Sequence, residues 1–300
     1  MTTQETAEKI QRLKQERNAV ILAHNYQIPE VQDIADHTGD SLELARIASK
    51  TDYDVIVFCG VMFMAETANI LSPQKTTLIP DPKAGCPLAD MIDLKKLQKL
   101  QAQRPDAVTV CYVNSSAEVK AHSDVVCTSA NAVKIVASID KPIIFVPDRH
   151  LGDYAAQKTG REIILGPGWC PTHYNIDPDD IRDLKNKYPD AEVVVHPECT
   201  REILSLADHI CSTSQMIRAV AASSAPRFII GTEQGLLHRL KKDNPDKEFL
   251  TPGPCLCPNM KKITLDKVLR SLETMEHKVV VPEPVRTQAL TALERMLEYV

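Results

Sequence analysis

Glycine and aromatic residues are scarce in this chain of 300 residues. It contains 10 glycines, and Phe, Trp and Tyr together make up 4% of the sequence. Gly166-Pro167-Gly168 does not complete the glycine-rich motifs that hold phosphates or dinucleotides at the start of a helix. The sequence therefore gives little support to a P-loop protein or a nicotinamide-dependent enzyme.

Long apolar runs and an excess of basic residues are also missing. The longest apolar run, residues 55–65, is too short to cross a bilayer. The net charge is −5, and acids and bases are interspersed, so no basic patch indicates a nucleic-acid partner. The N-terminus is polar and acidic, unlike a secretory signal, and we expect a cytoplasmic protein. Nine cysteines in that reducing compartment indicate buried thiols and metal ligands rather than disulfides.

The sequence contains the same plan three times. An apolar run ends in polar or ionisable residues, a short helical segment follows, and a second apolar run ends in a hydroxyl residue. The paired positions, 17 residues apart in every copy, are His24 and Ser41, Tyr112 and Ser129, and His196 and Thr213. Repetition of this kind predicts a molecule built from similar units.

Short apolar strands alternate with helical segments in each copy, which predicts an α/β fold. Runs such as 19–23 and 55–58 are continuously apolar, as expected of parallel strands buried on both faces. We predict three similar α/β/α domains with small parallel sheets, in a pseudo-threefold arrangement around a central site. The predicted domains are 1–88, 89–172 and 173–258, followed by a tail over 259–300 that packs back onto the earlier units and contains a strand over 279–281.

Polar residues end the first strand of each copy, where parallel α/β units collect functional groups. Alternation directs the first and third members of each triplet to one face. Glu198 beside His196 suits proton abstraction, and Tyr26 suits proton donation or abstraction, although each residue alone is also explained as a hydrogen-bonded strand end. The triplets are His24-Asn25-Tyr26, Tyr112-Val113-Asn114 and His196-Pro197-Glu198.

The hydroxyl residues Ser41, Ser129 and Thr213 are each predicted to begin a helix, where backbone N–H groups and the helix dipole attract anions. A single serine or threonine at such a position is usually a simple N-cap. Three that converge on one cavity suit a substrate with two or three anionic groups, such as a dicarboxylate together with a phosphate.

One cysteine falls at the same place in each copy, in a loop, and directly precedes a proline. Cys86, Cys170 and Cys257 lie 62, 58 and 61 positions after His24, Tyr112 and His196. A threefold arrangement brings these loops together, and three thiolates at one point form a site for a soft metal. Zinc and an iron–sulfur cluster both remain open, although structural zinc ligands usually come as local pairs. A 4Fe–4S cluster on three cysteines leaves one iron free to act as a Lewis acid.

The other six cysteines are interpreted differently. Four lie in apolar strands and are expected to be small core residues. Cys199 is ambiguous, and Cys255, which forms Cys-x-Cys with Cys257, is a rival ligand. The four core candidates are Cys59, Cys111, Cys127 and Cys211.

At these residues the chain resembles the quinolinate synthase family, iron–sulfur enzymes of NAD biosynthesis. The resemblance spans nearly the whole chain. The motifs that carry it are Ala23-His24-Asn25-Tyr26-Gln27, Gly39-Asp40-Ser41, Phe63-Met64-Ala65-Glu66-Thr67, Tyr112-Val113-Asn114-Ser115, Thr128-Ser129-Ala130-Asn131-Ala132, His196-Pro197-Glu198-Cys199 and Cys257-Pro258-Asn259-Met260-Lys261.

The resemblance implies a 4Fe–4S cluster on Cys86, Cys170 and Cys257. It implies condensation of iminoaspartate with dihydroxyacetone phosphate to quinolinate, with loss of phosphate and two waters. The enzyme that supplies iminoaspartate, an L-aspartate oxidase or dehydrogenase, is then an expected partner. Tyr26, Glu198 and His196 are the expected catalytic residues. The expected substrate contacts are His24, Ser41, Tyr112, Asn114, Ser129, His196, Glu198 and Thr213.

Three other functions remain open from the residues alone. Another hydro-lyase with an open-iron cluster would share the metal centre and act on a different polyanion. An iron–sulfur redox sensor predicts a fully ligated cluster without converging anion sites. A zinc-stabilised binding module predicts one zinc and no visible absorbance.

Overall fold

Apolar strands buried on both faces form the centre of each repeat. The computed structural model describes residues 1–299. The central strand β1 (Ala19–His24) is buried along its whole length, and β3 (Val55–Cys59) beside it is buried in the same way. The apolar runs of the sequence therefore become interior parallel strands, as predicted.

The first unit contains α1 (Thr3–Glu16), β1, α2 (Pro29–Ile34), β2 (His37–Gly39), α3 (Ser41–Lys50), β3, α4 (Met62–Leu71), β4 (Thr76–Leu78) and α5 (Pro87–Asp90). The second contains α6 (Leu94–Gln103), β5 (Val108–Tyr112), α7 (Ala117–Ala121), β6 (Val125–Cys127), α8 (Ala132–Ala137), β7 (Ile143–Val146), α9 (Arg149–Thr159), β8 (Ile163–Leu165) and α10 (Pro171–Tyr174). The third contains α11 (Pro178–Lys187), β9 (Glu192–Val195), α12 (Arg201–Ser205), β10 (His209–Ile210), α13 (Thr213–Ala222), β11 (Arg227–Gly231), α14 (Leu236–Asp243) and β12 (Glu248–Leu250).

Each unit has one parallel four-stranded sheet with the same strand order. The orders are β2-β1-β3-β4, β6-β5-β7-β8 and β10-β9-β11-β12. The predicted fold class, α/β with three small parallel sheets, is confirmed. In each sheet the chain passes from the first strand to the edge strand on one side and then crosses to the third strand on the other side. The crevice at the carboxyl ends of the first and third strands is therefore the expected ligand position. Segments 1–88, 89–172 and 173–258 hold one sheet each, and we propose them as the three domains.

The tail continues with a short 3-10 helix (Met260–Lys262), α15 (Leu265–Thr274) and α16 (Val285–Glu298). α15 packs on α1, whereas α16 packs on α7, β6 and α4. Within residues 1–299, every helix falls short of the length and hydropathy that crossing a bilayer requires.

The predicted strand over 279–281 is wrong. The segment makes a single antiparallel bridge, between Lys278 and Leu78, and the Val279 N–H donates to the Thr77 carbonyl at 2.8 Å. The next inward-facing amide, that of Val281, donates instead to the side-chain oxygen of Asn69 at 2.9 Å. A side chain has taken the place of the neighbouring strand, so the ladder does not extend.

Lys120, on α7, is fully buried beside the apolar wall of the first unit. Its ammonium group donates to the Ser115 carbonyl at 2.7 Å and lies 5.3 Å from the centre of the Phe63 ring. Burial lowers the pKa of Lys120 to about 8, although Glu66 opposes the shift. The unfolded chain binds the proton more tightly, so stability from this group rises as pH increases from about 8 towards about 10.4.

We expect Lys120→Met to remove this pH dependence. Between about pH 7.5 and about pH 9.5, the wild type should gain about 2 kcal/mol in free energy of unfolding relative to the variant. Urea unfolding at the two pH values measures the difference. Lys99→Met, at an exposed position on α6, should follow the wild type, and an equal pH response in Lys120→Met would contradict the assignment.

Candidate active site

A cavity of about 70 Å³ lies where the three units meet. Its walls come from the carboxyl ends of the first strands, the starts of the following helices and the three Cys-Pro loops. Every site residue predicted from the sequence lines it. These residues are His24, Tyr26, Ser41, Cys86, Tyr112, Asn114, Ser129, Cys170, His196, Glu198, Thr213 and Cys257.

His24 and His196, two of the three histidines that line the cavity, have the same local geometry. The Nδ1 of His24 accepts the backbone N–H of Tyr26 at 3.1 Å, and the Nδ1 of His196 accepts that of Glu198 at 3.3 Å. Burial lowers the pKa of each imidazole to about 3, with Glu198 opposing the shift in both. A neutral ring that accepts through Nδ1 carries its proton on Nε2. Both residues therefore present an N–H donor, and that of His196 lies 3.1 Å from the Ser129 hydroxyl.

Glu198 is a buried carboxylate held by its neighbours. Burial opposes ionisation, but His196, His173 and hydrogen bonds from His173 and Tyr112 outweigh it and lower the pKa of Glu198 to about 2. The Nδ1 of His173 lies 2.8 Å from Oε2, and Asn114 donates to Oε1 at 3.4 Å. The carboxylate is therefore ionised at neutral pH and available as a base.

A chain of hydrogen-bonding groups connects Tyr26 to Glu198. The Tyr26 hydroxyl lies 2.6 Å from the Thr232 hydroxyl, which lies 2.8 Å from Nε2 of His173. Nδ1 of His173 then contacts Glu198. Since Nδ1 donates to the carboxylate, Nε2 is free to accept a proton through Thr232. Burial, followed by the charge of Glu198, raises the pKa of Tyr26 well above its usual value, so the phenol is neutral.

His173, Thr232 and Glu233 were not identified from the sequence. His173 stands three residues after Cys170 in the Cys-Pro loop, and Thr232 and Glu233 directly follow the third strand of their sheet. The rule that points to the end of the first strand applies equally to the third, since both border the crevice. The matching polar triplets follow only the first strands, so repetition indicates a site at the first strands alone.

The predicted helix starts need correction. Ser41 and Thr213 are the first residues of α3 and α13, but the capping side chains are those of Asp40 and Ser212. Ser129 does not begin a helix: Asn131 Oδ1 accepts the Thr128 N–H at 2.8 Å in a turn, and α8 starts at Ala132. Two helix N-termini therefore face the cavity with their hydroxyls, and the second unit offers the Ser129 hydroxyl from a turn.

Cys86, Cys170 and Cys257 have a shared environment. Each cysteine stands at the start of a short helix or turn. Burial raises the pKa of all three thiols, that of Cys86 to about 12. Backbone N–H groups of the following turn partly offset this: those of Leu88 and Ala89 for Cys86, of His173 for Cys170, and of Asn259 and Met260 for Cys257. Sulfurs beside such N–H groups fit a bound cationic metal group, which favours the thiolate.

Known proteins resemble this chain along almost its full length. A sequence profile of the NadA family, described as quinolinate synthetase A protein, matches residues 8–298. The chain belongs to the NadA family. It is 54% identical over 294 residues to a protein named quinolinate synthase from Dehalococcoides mccartyi strain CBDB1, covering 97% of each chain. It is 54% identical over 299 residues to the quinolinate synthase of Geotalea uraniireducens strain Rf4 (99% and 98% covered) and 52% identical over 293 residues to quinolinate synthase 2 of Methanosarcina acetivorans (97% and 94%). The family resemblance expected from the sequence is confirmed.

In this NadA-family chain, Cys255 is separated from the cavity. It is buried in a satellite core of the third unit with Cys199 and Ile176, and its thiol contacts the Pro252 carbonyl at 3.6 Å. Cys257, two residues later, points to the opposite side and lines the cavity. Of the two sulfurs in the Cys-x-Cys pair, the geometry favours Cys257 as the ligand.

A second group of metal-binding atoms lies close together in the same wall. Ligand atoms of Cys170, His173 and Glu198 are all within 4.8 Å of one another. Nδ1 of His173 sits between them, 3.2 Å from the sulfur and 2.8 Å from the carboxylate. Because these contacts already satisfy the imidazole, we interpret the group as a hydrogen-bonded cluster, with the sulfur alone available to a metal.

A buried carboxylate holds the Cys257 loop at its backbone. The Oε1 of Glu233 accepts the Cys257 N–H at 3.1 Å. Glu233 follows the third strand of its own sheet. Glu233 also binds Lys261 at 2.9 Å, and Lys261 donates to the Tyr26 carbonyl. A single carboxylate thereby couples the Cys257 loop to the backbone of Tyr26.

We expect Gly235→Ala to disturb this coupling. A Cβ at residue 235 would lie 2.6 Å from the Tyr26 carbonyl oxygen and 2.8 Å from the Glu233 carboxylate, so backbone must move. Overpacking of this kind costs about 1–3 kcal/mol, and the displaced Tyr26 should lower kcat. Gly85→Ala is a matched control for stability, since a Cβ there meets nothing within 4 Å. Thermal unfolding of both variants and turnover of Gly235→Ala measure the effect, and equal stability of the two variants would contradict the close packing.

Proposed function

We propose that the chain is a quinolinate synthase. The reaction joins iminoaspartate and dihydroxyacetone phosphate and yields quinolinate, inorganic phosphate and two waters, which balances all atoms. The observation that carries this proposal is the convergence of three repeats on one cavity that combines three thiols, an ionised carboxylate, a neutral tyrosine and several donors for anions. The named relatives support the same reaction class.

The donors of the cavity suit the two substrates. Iminoaspartate carries two carboxylates and dihydroxyacetone phosphate carries one phosphate. We assign their recognition to the Nε2–H groups of His24 and His196, the hydroxyls of Ser41, Ser129 and Thr213, and the side chains of Tyr112 and Asn114. α3 and α13 begin at Ser41 and Thr213, so their backbone N–H groups add to the attraction for anions.

Cys86, Cys170 and Cys257 would hold a 4Fe–4S cluster. Such a cluster on three protein ligands supplies a Lewis-acidic iron that can bind a substrate oxygen or nitrogen. The soft, buried, N–H-supported sulfurs fit this group better than a structural zinc, whose ligands usually come as local pairs. A cluster of this kind requires a reducing compartment, which supports a cytoplasmic location, and iminoaspartate would come from an L-aspartate oxidase or dehydrogenase.

The proton movements are assigned to Glu198 and the Tyr26 chain. Glu198, ionised and held by His173, removes a proton from carbon beside the imine or carbonyl group during phosphate loss and ring formation. The Tyr26 hydroxyl donates a proton to the departing hydroxyl oxygen. Thr232 and Nε2 of His173, within 2.6 and 2.8 Å along the chain, hold the Tyr26 hydroxyl in position for this donation. His196 donates from Nε2 to the oxygen on which charge develops.

Anaerobic assay of the full-length chain tests the proposal. After loading with iron and sulfide, we expect about four irons per chain, and equal amounts of quinolinate and phosphate from the two substrates. Tyr26→Phe should retain the cluster and lose most of the turnover. A loaded chain that dehydrates another polyanion and makes no quinolinate would favour the alternative hydro-lyase. One zinc per chain, or full activity of Tyr26→Phe, would contradict the assigned chemistry.

A further inference from the structure

A surface groove of about 850 Å³ runs between α3 of the first unit and α13 of the third. On α3 its wall is formed by Glu43, Arg46, Ile47 and Lys50, which share one helix face. On α13 the corresponding stripe begins at Ser214 and includes Ile217 and Arg218. Both helices have their N-termini at the inner end of the groove, so the groove leads along them towards the cavity.

The groove is positively charged, although the chain as a whole carries a net charge of −5. Four basic side chains line it, against the acids Asp36 and Glu43. Asp36 already pairs with Lys14 at 2.6 Å, and Glu43 contacts Ser214 and Arg218. Arg239 pairs with Asp243 at 2.8 Å, whereas Arg46 and Lys50 are exposed and form no ion pair among the described residues. The basic side chains are Arg46, Lys50, Arg218 and Arg239.

Neighbouring residues at the starts of α3 and α13 line the groove and the cavity. Ser41 and Thr213 line the cavity, while Glu43 and Ser214 line the groove. The Ser214 hydroxyl donates to the Glu43 carboxylate and accepts the Asp40 N–H at 3.3 Å. Ser212 adds another polar contact between the two units by donating to the Asp40 carboxylate at 3.1 Å, so this boundary can exchange its hydrogen bonds for water as it opens.

The cavity itself is too small to fill from a static opening. Its volume of about 70 Å³ is well below the roughly 300–1,000 Å³ of typical ligand pockets, whereas each substrate has several heavy atoms and two anionic charges. Admission of either substrate therefore requires a wall to move, and a positive vestibule beside that wall would raise the local concentration of anions.

We propose that the α3–α13 groove is the access route for the dianionic substrates, and that the Glu43–Ser214 contact closes it. The chemical class is a small molecule with two or more negative charges, of which both assigned substrates are examples. This inference rests on the proposed function for the identity of those substrates. The groove collects the anion through Arg46, Lys50, Arg218 and Arg239, and separation of Glu43 from Ser214 admits it to Ser41 and Thr213.

Charge reversal at Arg46 and Lys50 tests the groove in the loaded enzyme. We expect Arg46→Glu/Lys50→Glu to lower kcat/KM about tenfold at low ionic strength, with kcat unchanged, and the loss should shrink to about twofold or less near 0.5 M salt. Lys95→Glu/Lys99→Glu on α6 makes the same change in net charge at exposed positions of the second unit. Equal kinetics of the two double variants would overturn the proposal, provided that the wild type forms quinolinate.

Thiol labelling tests the same route without relying on the reaction. In the full-length chain freed of metal, the dianion 5,5′-dithiobis(2-nitrobenzoate) and the neutral 4,4′-dithiodipyridine report access to Cys86, Cys170 and Cys257, located by peptide mass spectrometry. Arg46→Glu/Lys50→Glu should slow only the dianion, by about tenfold at low salt. Ser214→Ala should speed both reagents several-fold.

The two measurements separate the possible failures. Labelling that responds as expected in a chain that makes no quinolinate would retain the groove and overturn the proposed function. Labelling rates of these three cysteines that are identical in the wild type, in Arg46→Glu/Lys50→Glu and in Ser214→Ala would overturn the groove, whatever the activity.

Discussion

Replacement of Glu198 by glutamine is expected to lower kcat about a thousandfold, the range in which a positioned base contributes to an enzyme. The amide keeps the volume of the carboxylate and can still accept from Nδ1 of His173, which lies 2.8 Å away in the wild type. It cannot accept a proton from substrate. The packing is therefore retained while the base is lost, and KM should change far less than kcat.

Iron content and thermal unfolding of Glu198→Gln should match the wild type, since Glu198 is not among the proposed cluster ligands. Glu202→Gln is a matched control four positions later, where the carboxylate pairs with Arg182 at 2.6 Å on an exposed face. It should be fully active. Turnover of Glu198→Gln within threefold of the wild type would show that another group removes the proton.

Cys257→Ser and Cys255→Ser, two variants of one Cys-x-Cys motif, should differ in bound iron and in turnover. Cys257→Ser removes a sulfur that lines the cavity, and we expect loss of most bound iron, of the visible absorbance and of turnover. Cys255→Ser changes a thiol in the satellite core of the third unit, away from the cavity. Its cost is that of a hydroxyl placed in an apolar site, about 1–3 kcal/mol of stability, with iron content intact.

Iron and sulfide analysis of the two serine variants, purified without oxygen, measures this difference. Loss of iron in Cys255→Ser with retention in Cys257→Ser would reverse the assignment of the ligand. Treatment of the wild type with a strong iron chelator should reproduce the inactive state of Cys257→Ser, and renewed iron and sulfide should restore only the wild type.

The repeats made much of the fold and site predictable. A continuous apolar run that ends in His24, Tyr112 or His196 specifies both a buried parallel strand and the end at which the site forms. Similar spacing from these positions then led to Cys86, Cys170 and Cys257, which line one cavity.

The sequence did not predict the places where a single side chain accepts a backbone hydrogen bond that a helix or strand would otherwise use. Asn131 forms a turn where a helix was expected after Ser129, and Asn69 takes the hydrogen bond that a strand over 279–281 would have used. Helix α9 was not predicted, although Asp148 caps its start and Gly160 ends it with φ of 69°. His173 belongs to no repeat, because the first and third units have no histidine at the matching place in the loop.

The last helix has a consequence for how the protein must be made. β6 is an edge strand of Val125, Val126 and Cys127, apolar and fully buried, and α16 is one of the elements that cover it. The corresponding edge strands of the other two units, β2 and β10, contain fewer apolar residues and are partly exposed. An uncovered apolar edge readily pairs with other chains. During synthesis, the second unit is complete long before residues 285–298 emerge, so the growing chain remains prone to aggregation until its final helix docks.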